Sequence, residues 1–113
     1  PDGKWLAYQA LGKIYLRNQD TGQVRRLTTQ DEHFEFYPTF SPDGRTIAYT
    51  TWDDAELGRL RVASVSDGQS RVVSDKPGHY TEPLFSPDGR ELLVALVWLG
   101  GFERRATPYP SWF

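Results

Sequence analysis

Short runs of β-branched, aliphatic and aromatic residues, each cut off by turn-forming residues, succeed one another along the whole chain. KWLAY (4–8) and IYLRN (14–18) come first, then an Asp20-Thr21-Gly22 turn and VRRLT (24–28). PTFS (38–41), RTIAYT (45–50), LRVASV (60–65), an Asp67-Gly68 turn and SRVVS (70–74) follow, and ELLVALVWL (91–99) closes the series. Polarity changes with place in the series. ELLVALVWL is apolar on both faces, as a strand between two neighbouring sheets must be, whereas VRRLT and SRVVS are half polar, which suits an outer edge.

One phrase orders these runs. FSPDGRTIAY (40–49) returns as FSPDGRELLV (85–94) and, with its front missing, as PDGKWLAY (1–8). The Pro-Asp-Gly triplets begin at Pro1, Pro42 and Pro87, spacings of 41 and 45 residues. A period of that length, with four short strands in each unit, belongs to the blades of a β-propeller. The expected fold is all-β: a partial β-propeller of about two and a half four-stranded antiparallel blades, a single segment over 1–113. Naming the strands A to D from the hub outward, blade 1 supplies B to D (1–30), blade 2 all four (38–75), and blade 3 is partial (82–113). From triplet Gly to C-to-D turn Gly, the second copy is longer than the first by five residues, so a B-to-C connection absorbs the change. A β-sandwich also accommodates short strands with frequent turns, but it does not explain the repeated whole-blade phrase.

The triplet has a local cause. Pro presets φ for the second position of a type I turn, Asp tolerates the third, and Gly supplies the left-handed residue that follows. Ser41 and Ser86 suit the first position because a short hydroxyl bonds turn backbone. A recurring acid could instead ligate metal, yet neither Asp43 nor Asp88 has a second carboxylate in its triplet.

Two readings stand for the ends. YPSWF (109–113) resembles YPTFS (37–41), so the last residues could complete the strand-deficient first blade, within one ring of several copies. The other reading is a long B-to-C insertion after Trp98, since eleven residues cannot hold strands C and D. With no Met, the chain is expected to be a processed, excised or partial piece, and any export signal would precede Pro1.

Net charge is −2 with 25% charged residues of both signs, which gives no steering field toward nucleic acid. No apolar run exceeds strand length, so no membrane span is expected. With Cys absent there is no disulfide framework and no Cys-based metal site, and both cytoplasm and periplasm stay open. Unpaired sheet edges invite self-association.

The motif x-Pro-x-Phe-Ser-Pro-Asp-Gly-Arg followed by an apolar strand resembles the TolB-like, WD-repeat-like β-propeller family, over residues 1 to about 98. TWDD (51–54) and GHYTEP (78–83) are most similar to the propeller of some exported bacterial amidohydrolases. Similar blades occur in the gating propellers of prolyl-oligopeptidase-type and tricorn-type peptidases. The resemblance implies a periplasmic or secreted scaffold or gate, with any chemistry carried by a companion domain. The tail 100–113 departs from the repeat.

B-to-C and D-to-A connections emerge on one face of such a blade. His33, Phe34, Trp52, Asp53, Asp54, His79 and Tyr80 are therefore expected to share one rim and form the candidate binding face, with His33-Phe34 and His79-Tyr80 as counterparts in successive blades. A recurring His-aromatic pair equally suits a cap that packs its ring and bonds backbone. Asp53 and Asp54 beside Trp52, with Glu56 two further on, could hold a cationic or sugar-like group, or form a solvated loop. The two His with these acids lack His-x-His or His-Glu-x-x-His spacing, so neither metal nor cofactor is expected. Gly-x-Ser-x-Gly, a phosphate-cradling glycine loop and a Cys nucleophile are all missing. Arg25-Arg26 and Arg104-Arg105 fall short of a nucleic-acid footprint. The functional expectation is a non-catalytic scaffold for a protein partner or for gating substrate. The alternatives are the propeller portion of a larger hydrolase, or a self-assembling ligand-binding module.

Overall fold

A computed structural model describes residues 4–55, 57–74, 78–98 and 101–108. Ten strands make up its regular structure: β1 (Trp5–Ala10), β2 (Lys13–Asn18), β3 (Val24–Arg26), β4 (Phe34–Phe40), β5 (Thr46–Trp52), β6 (Arg59–Ser64), β7 (Ser70–Val72), β8 (His79–Phe85), β9 (Glu91–Trp98) and β10 (Gly101–Pro108). They form three antiparallel meanders in the orders β1-β2-β3, β4-β5-β6-β7 and β10-β9-β8. The chain is all-β, and its three sheets are consecutive blades of a partial propeller. β4 packs on β1 and β2 of the first blade, and β8 packs on β4, β5 and β6 of the second.

Two apolar layers hold the blades together. Ile14, Leu16 and Leu27 of blade 1 meet Ile47, Tyr49, Ala63 and Val65 of blade 2. Ala48, Leu60 and Val62, on the other face of blade 2, meet Tyr80, Leu92, Val94 and Leu96 of blade 3. Side chains alternate across a strand, so β5, wedged between two neighbours, is buried at every position from Thr46 to Thr51. Among the described residues β9 has a neighbouring sheet on one face only. Leu92, Val94 and Leu96 are buried while Leu93 and Val97 are half exposed.

The repeated triplet forms the turn its residues dictate. In blade 2 the Gly44 amide donates to the Ser41 carbonyl at 2.9 Å with φ of 74° at Gly44. The Ser41 hydroxyl donates to Asp43 Oδ1 at 2.6 Å, and Asp43 Oδ1 accepts the Arg45 amide at 3.0 Å. Ser86, Asp88 and Arg90 repeat the arrangement at the same distances.

Each innermost strand carries a bulge at the same place. The β4–β5 register shifts between Phe36 and Thr39, and the β8–β9 register between Thr81 and Leu84. Tyr37 and Glu82, each just before a Pro, take φ of 55° and 50° there, and the extra residue reverses side-chain parity along the strand. Glu35 and Phe40, five residues apart, thereby both face blade 1, as do Tyr80 and Phe85 toward blade 2. Pro38 and Pro83 remove no ladder bond that matters, because β4 and β8 are edge strands.

Residues 101–108 depart from the insertion reading. They form β10, antiparallel to β9 from the Gly101↔Trp98 pair to Pro108↔Glu91, in the place of a strand C. Phe102, Arg104 and Ala106 are exposed while Glu103, Arg105 and Thr107 are half-buried, an alternation that charge on both faces hides in the sequence. The 109–113 segment, read as a closing strand, lies outside the described residues, as do Pro1 to Gly3. Among the described residues no helix is long and apolar enough to cross a membrane.

Candidate functional site

The rim is assembled from two connections and two strand ends. Phe34 opens β4 and Trp52 ends β5, and the two are register partners. Cross-strand partners share a place along the ladder, so both side chains lie at the same end of blade 2 and line one cleft, Phe34 next to the Phe36 ring and Trp52 next to the His79 ring. The chain from 28 to 33 returns over the end of blade 1, bringing Asp31, Glu32 and His33 beside them. Asp53 and Asp54 follow Trp52 directly. A cleft of about 230 Å³ results, lined by His33, Phe34, Trp52, Asp53 and Asp54, with Lys13, Asp31 and Glu32 completing it. Five of the seven residues singled out from sequence thus meet in one place.

His79 joins them from blade 3, its ring 5.7 Å from that of Trp52 and tilted by 59°. Tyr80 does not. It is 2% exposed and belongs to the layer between blades 2 and 3. The pairing of His33-Phe34 with His79-Tyr80 is corrected by one residue. Counted from Pro38 and Pro83, Phe34 corresponds to His79 and Glu35 to Tyr80, so strand alternation turns Tyr80 inward where His79 points out. His33 is buried at 8% exposure, while Phe34 is 55% exposed. Glu56 lies outside the described residues.

A buried anchor underlies the cleft. Glu35, 0% exposed, accepts the Ile14 amide at 2.9 Å, the Thr28 hydroxyl at 2.5 Å and Gln30 Nε2 at 2.9 Å. Gln30 Oε1 in turn accepts the amides of Glu32 (2.7 Å) and His33 (3.1 Å). Lys13 Nζ donates to the carbonyls of Gln30 (3.2 Å) and His33 (2.7 Å). The loop bearing Asp31, Glu32 and His33 is therefore tied to blade 1 and blade 2 by fixed polar contacts. Gly12 leaves the room this needs. A methyl group there would lie 2.5 Å from Phe34 Cδ1, at a φ of 77° that disfavours any side chain.

Charge in the cleft is mostly negative. Asp31 pairs with Arg26 at 3.0 Å, Asp54 accepts Trp52 Nε1 at 3.2 Å, and Asp53 Oδ1 caps the following turn by accepting the Ala55 amide at 2.6 Å. With Asp31 already paired with Arg26, three carboxylates and two rings against one lysine favour a cationic group over an anion. Among the described residues no three His, Asp or Glu side chains converge as metal ligands. Lys13, Asp31, Glu32 and the Glu35–Gln30 anchor were missed from sequence. The rule that places B-to-C turns on this rim would have found Lys13, which follows the Leu11-Gly12 turn.

No family model matches the chain. It is 33% identical over 92 residues, 81% of its length, to the Tol-Pal system protein TolB of Francisella tularensis subsp. mediasiatica. It is 37% identical over 59 residues, 52% of its length, to an uncharacterized peptidase, YuxL, of Bacillus subtilis. The chain spans 21% and 9% of those two proteins respectively. The crystal structure of TolB from Acinetobacter baumannii superimposes with a TM-score of 0.81 over 98% of this chain and 28% of that one, at 23% identity.

Proposed function

The chain is built of TolB-like β-propeller repeats, and on that premise we propose that it is a non-catalytic interaction scaffold whose rim cleft receives a protein partner or a companion catalytic domain. The observation that carries this reading is the cleft itself. Phe34 and Trp52 are held at the end of a rigid blade, ringed by His33, Asp31, Glu32, Asp53 and Asp54, with His79 against the indole. Aromatic side chains on a preorganised loop face supply contact area at low entropic cost, and neighbouring charge selects the partner. A basic side chain presented by that partner fits the excess of carboxylate. The periplasm is the compartment that the family likeness favours.

The test is copurification. Trp52→Ala with Asp54→Asn should abolish capture of the partner, while Val72→Ala, on an exposed outer strand away from the cleft, should retain it. Capture that survives in the rim variant would reject this face.

The 37% identity to an uncharacterized peptidase favours a second reading, in which these blades are the propeller of a hydrolase of prolyl-oligopeptidase or amidohydrolase type. The gene sequence flanking the repeats decides it. A Ser-Asp-His hydrolase domain or a metal-binding barrel motif would support that reading, and a sequence with neither would reject it.

A further inference from the structure

At the end opposite the rim, between blades 1 and 2, lies a cleft of about 510 Å³ lined by Trp5, Arg25, Arg45, Ser64 and Ser66 among others. Its two cations come from different blades. The Arg25 guanidinium sits over the Trp5 ring, 5.3 Å from the centroid, and donates to the Val65 carbonyl. It is thereby fixed from two sides. Arg45 enters from the Pro-Asp-Gly turn of blade 2, where its amide is held by Asp43 Oδ1 and its carbonyl accepts the Val65 amide at 2.9 Å. Among the described residues no carboxylate lines the cleft, and Asp43 nearby already binds the Ser41 hydroxyl and the Arg45 amide. The hydroxyls of Ser64 and Ser66 share one hydrogen bond at 3.0 Å, so the pair can offer its second hydrogen elsewhere.

Comparison between blades separates what the repeat demands from what it does not. Arg71 and Arg90 repeat the positions of Arg25 and Arg45. Trp5 has no such counterpart. Its place is held by Thr46 in blade 2 and Glu91 in blade 3, each of which gives its amide to the turn serine at 3.1 Å. The basic frame is therefore part of the blade, and the indole is an addition to one cleft.

We propose that this cleft binds an oxyanion, carboxylate or phosphate, carried on a flat ring. Arg25 and Arg45 take the oxyanion through charge-assisted hydrogen bonds, the serine hydroxyls complete its shell, and Trp5 walls the ring. The site is distinct from the rim cleft and does not rest on the rim reading.

Amide spectra of the whole chain, titrated separately with phenyl phosphate, inorganic phosphate and phenol, test it. Phenyl phosphate should shift the amides of Arg25, Arg45 and Ser66 and bind at least about tenfold more tightly than inorganic phosphate, with phenol silent. The Arg90 amide should stay still. Arg45→Gln, at an exposed position, should weaken phenyl phosphate by about tenfold, and Trp5→Thr, the residue of blade 2, should erase its advantage over inorganic phosphate. Equal shifts at Arg45 and Arg90, equal affinity for the two phosphates in the unaltered chain, or no shift at all would each overturn the proposal.

Discussion

Glu35 and Tyr80 hold the same place in successive blades, three residues before the proline of the innermost strand, and both are fully buried against the preceding sheet. One fills that place with three hydrogen bonds, the other with an aromatic ring. Truncation should therefore be costly for different reasons. Tyr80→Ala leaves a cavity and is expected to cost about 3–5 kcal/mol. Glu35→Ala strands the Ile14 amide and the Thr28 and Gln30 donors, at a cost of about 3 kcal/mol, whereas Glu35→Gln, which keeps an acceptor, should cost about 1 kcal/mol. Urea unfolding of the three variants measures this. A Glu35→Ala variant as stable as Glu35→Gln would show that the anchor contributes only volume.

The turn aspartates give the fold an acid-side dependence. The Ser41 hydroxyl above all, and then the Arg45 amide, hold the Asp43 carboxyl below its ordinary value, and Ser86 and Arg90 do the same for Asp88. The folded value lies below the unfolded one, so each carboxylate stabilises the fold above about pH 4 and loses that contribution as pH falls through its lowered value. Replacing both by Asn should lower the thermal midpoint at neutral pH and narrow the gap from the unaltered chain as the medium is acidified. Parallel midpoint curves would refute the assignment.

Tyr49 sets an alkaline dependence of opposite sign. Burial between blades 1 and 2 pushes its phenol up to about 12, against the pull of the nearby Ser70 hydroxyl. Its folded value exceeds the unfolded one of about 10, so its share of stability is complete below about pH 10 and is lost as pH rises through the folded value. The Ser70 hydroxyl lies near the phenol but outside good hydrogen-bond geometry, and among the described residues no well-formed hydrogen bond reaches the Tyr49 hydroxyl. Tyr49→Phe should then change stability at neutral pH by less than about 1 kcal/mol, and should hold its melting temperature further into alkali. A large loss at neutral pH would reveal a hydroxyl contact that matters.

The outward face of blade 3 is unfinished. Leu84, Leu93, Val97 and Phe102 are 59%, 50%, 42% and 57% exposed, on the face that in blade 2 is covered by the next sheet. An apolar sheet face of this kind drives association. Concentration-dependent assembly is expected in native mass spectrometry, and Leu93→Lys should suppress it without lowering stability by more than about 1 kcal/mol. Unchanged assembly in that variant would move the contact to another surface.

Much of the architecture was legible because the turn chemistry is local. Pro42-Asp43-Gly44 and Pro87-Asp88-Gly89 need nothing beyond their own backbone and one serine, so the repeat, the strand order and the B and C strands could be read directly. The candidate cleft was legible only as far as connectivity reaches. Which end of the blades Trp52, Asp53 and Asp54 occupy follows from counting strands. Whether His79 or Tyr80 points outward depends on a bulge at Glu82 that composition does not announce. Glu35 was hidden for a similar reason. A carboxylate in a strand reads as a solvated position until its three donors, drawn from residues 14, 28 and 30, are brought to it by tertiary packing.

The kinks at Tyr37 and Glu82 also set how these strands tolerate change in length. Because each adds one residue that its partner strand does not match, deleting a single codon there would turn half of the strand inside out, sending either Glu35 or Phe40 to the wrong neighbour. Point changes at these two places are affordable by comparison, and glycine would even ease the backbone. Natural variation at the hub should accordingly alter side chains freely while keeping the residue count between the buried anchor and Pro-Asp-Gly invariant.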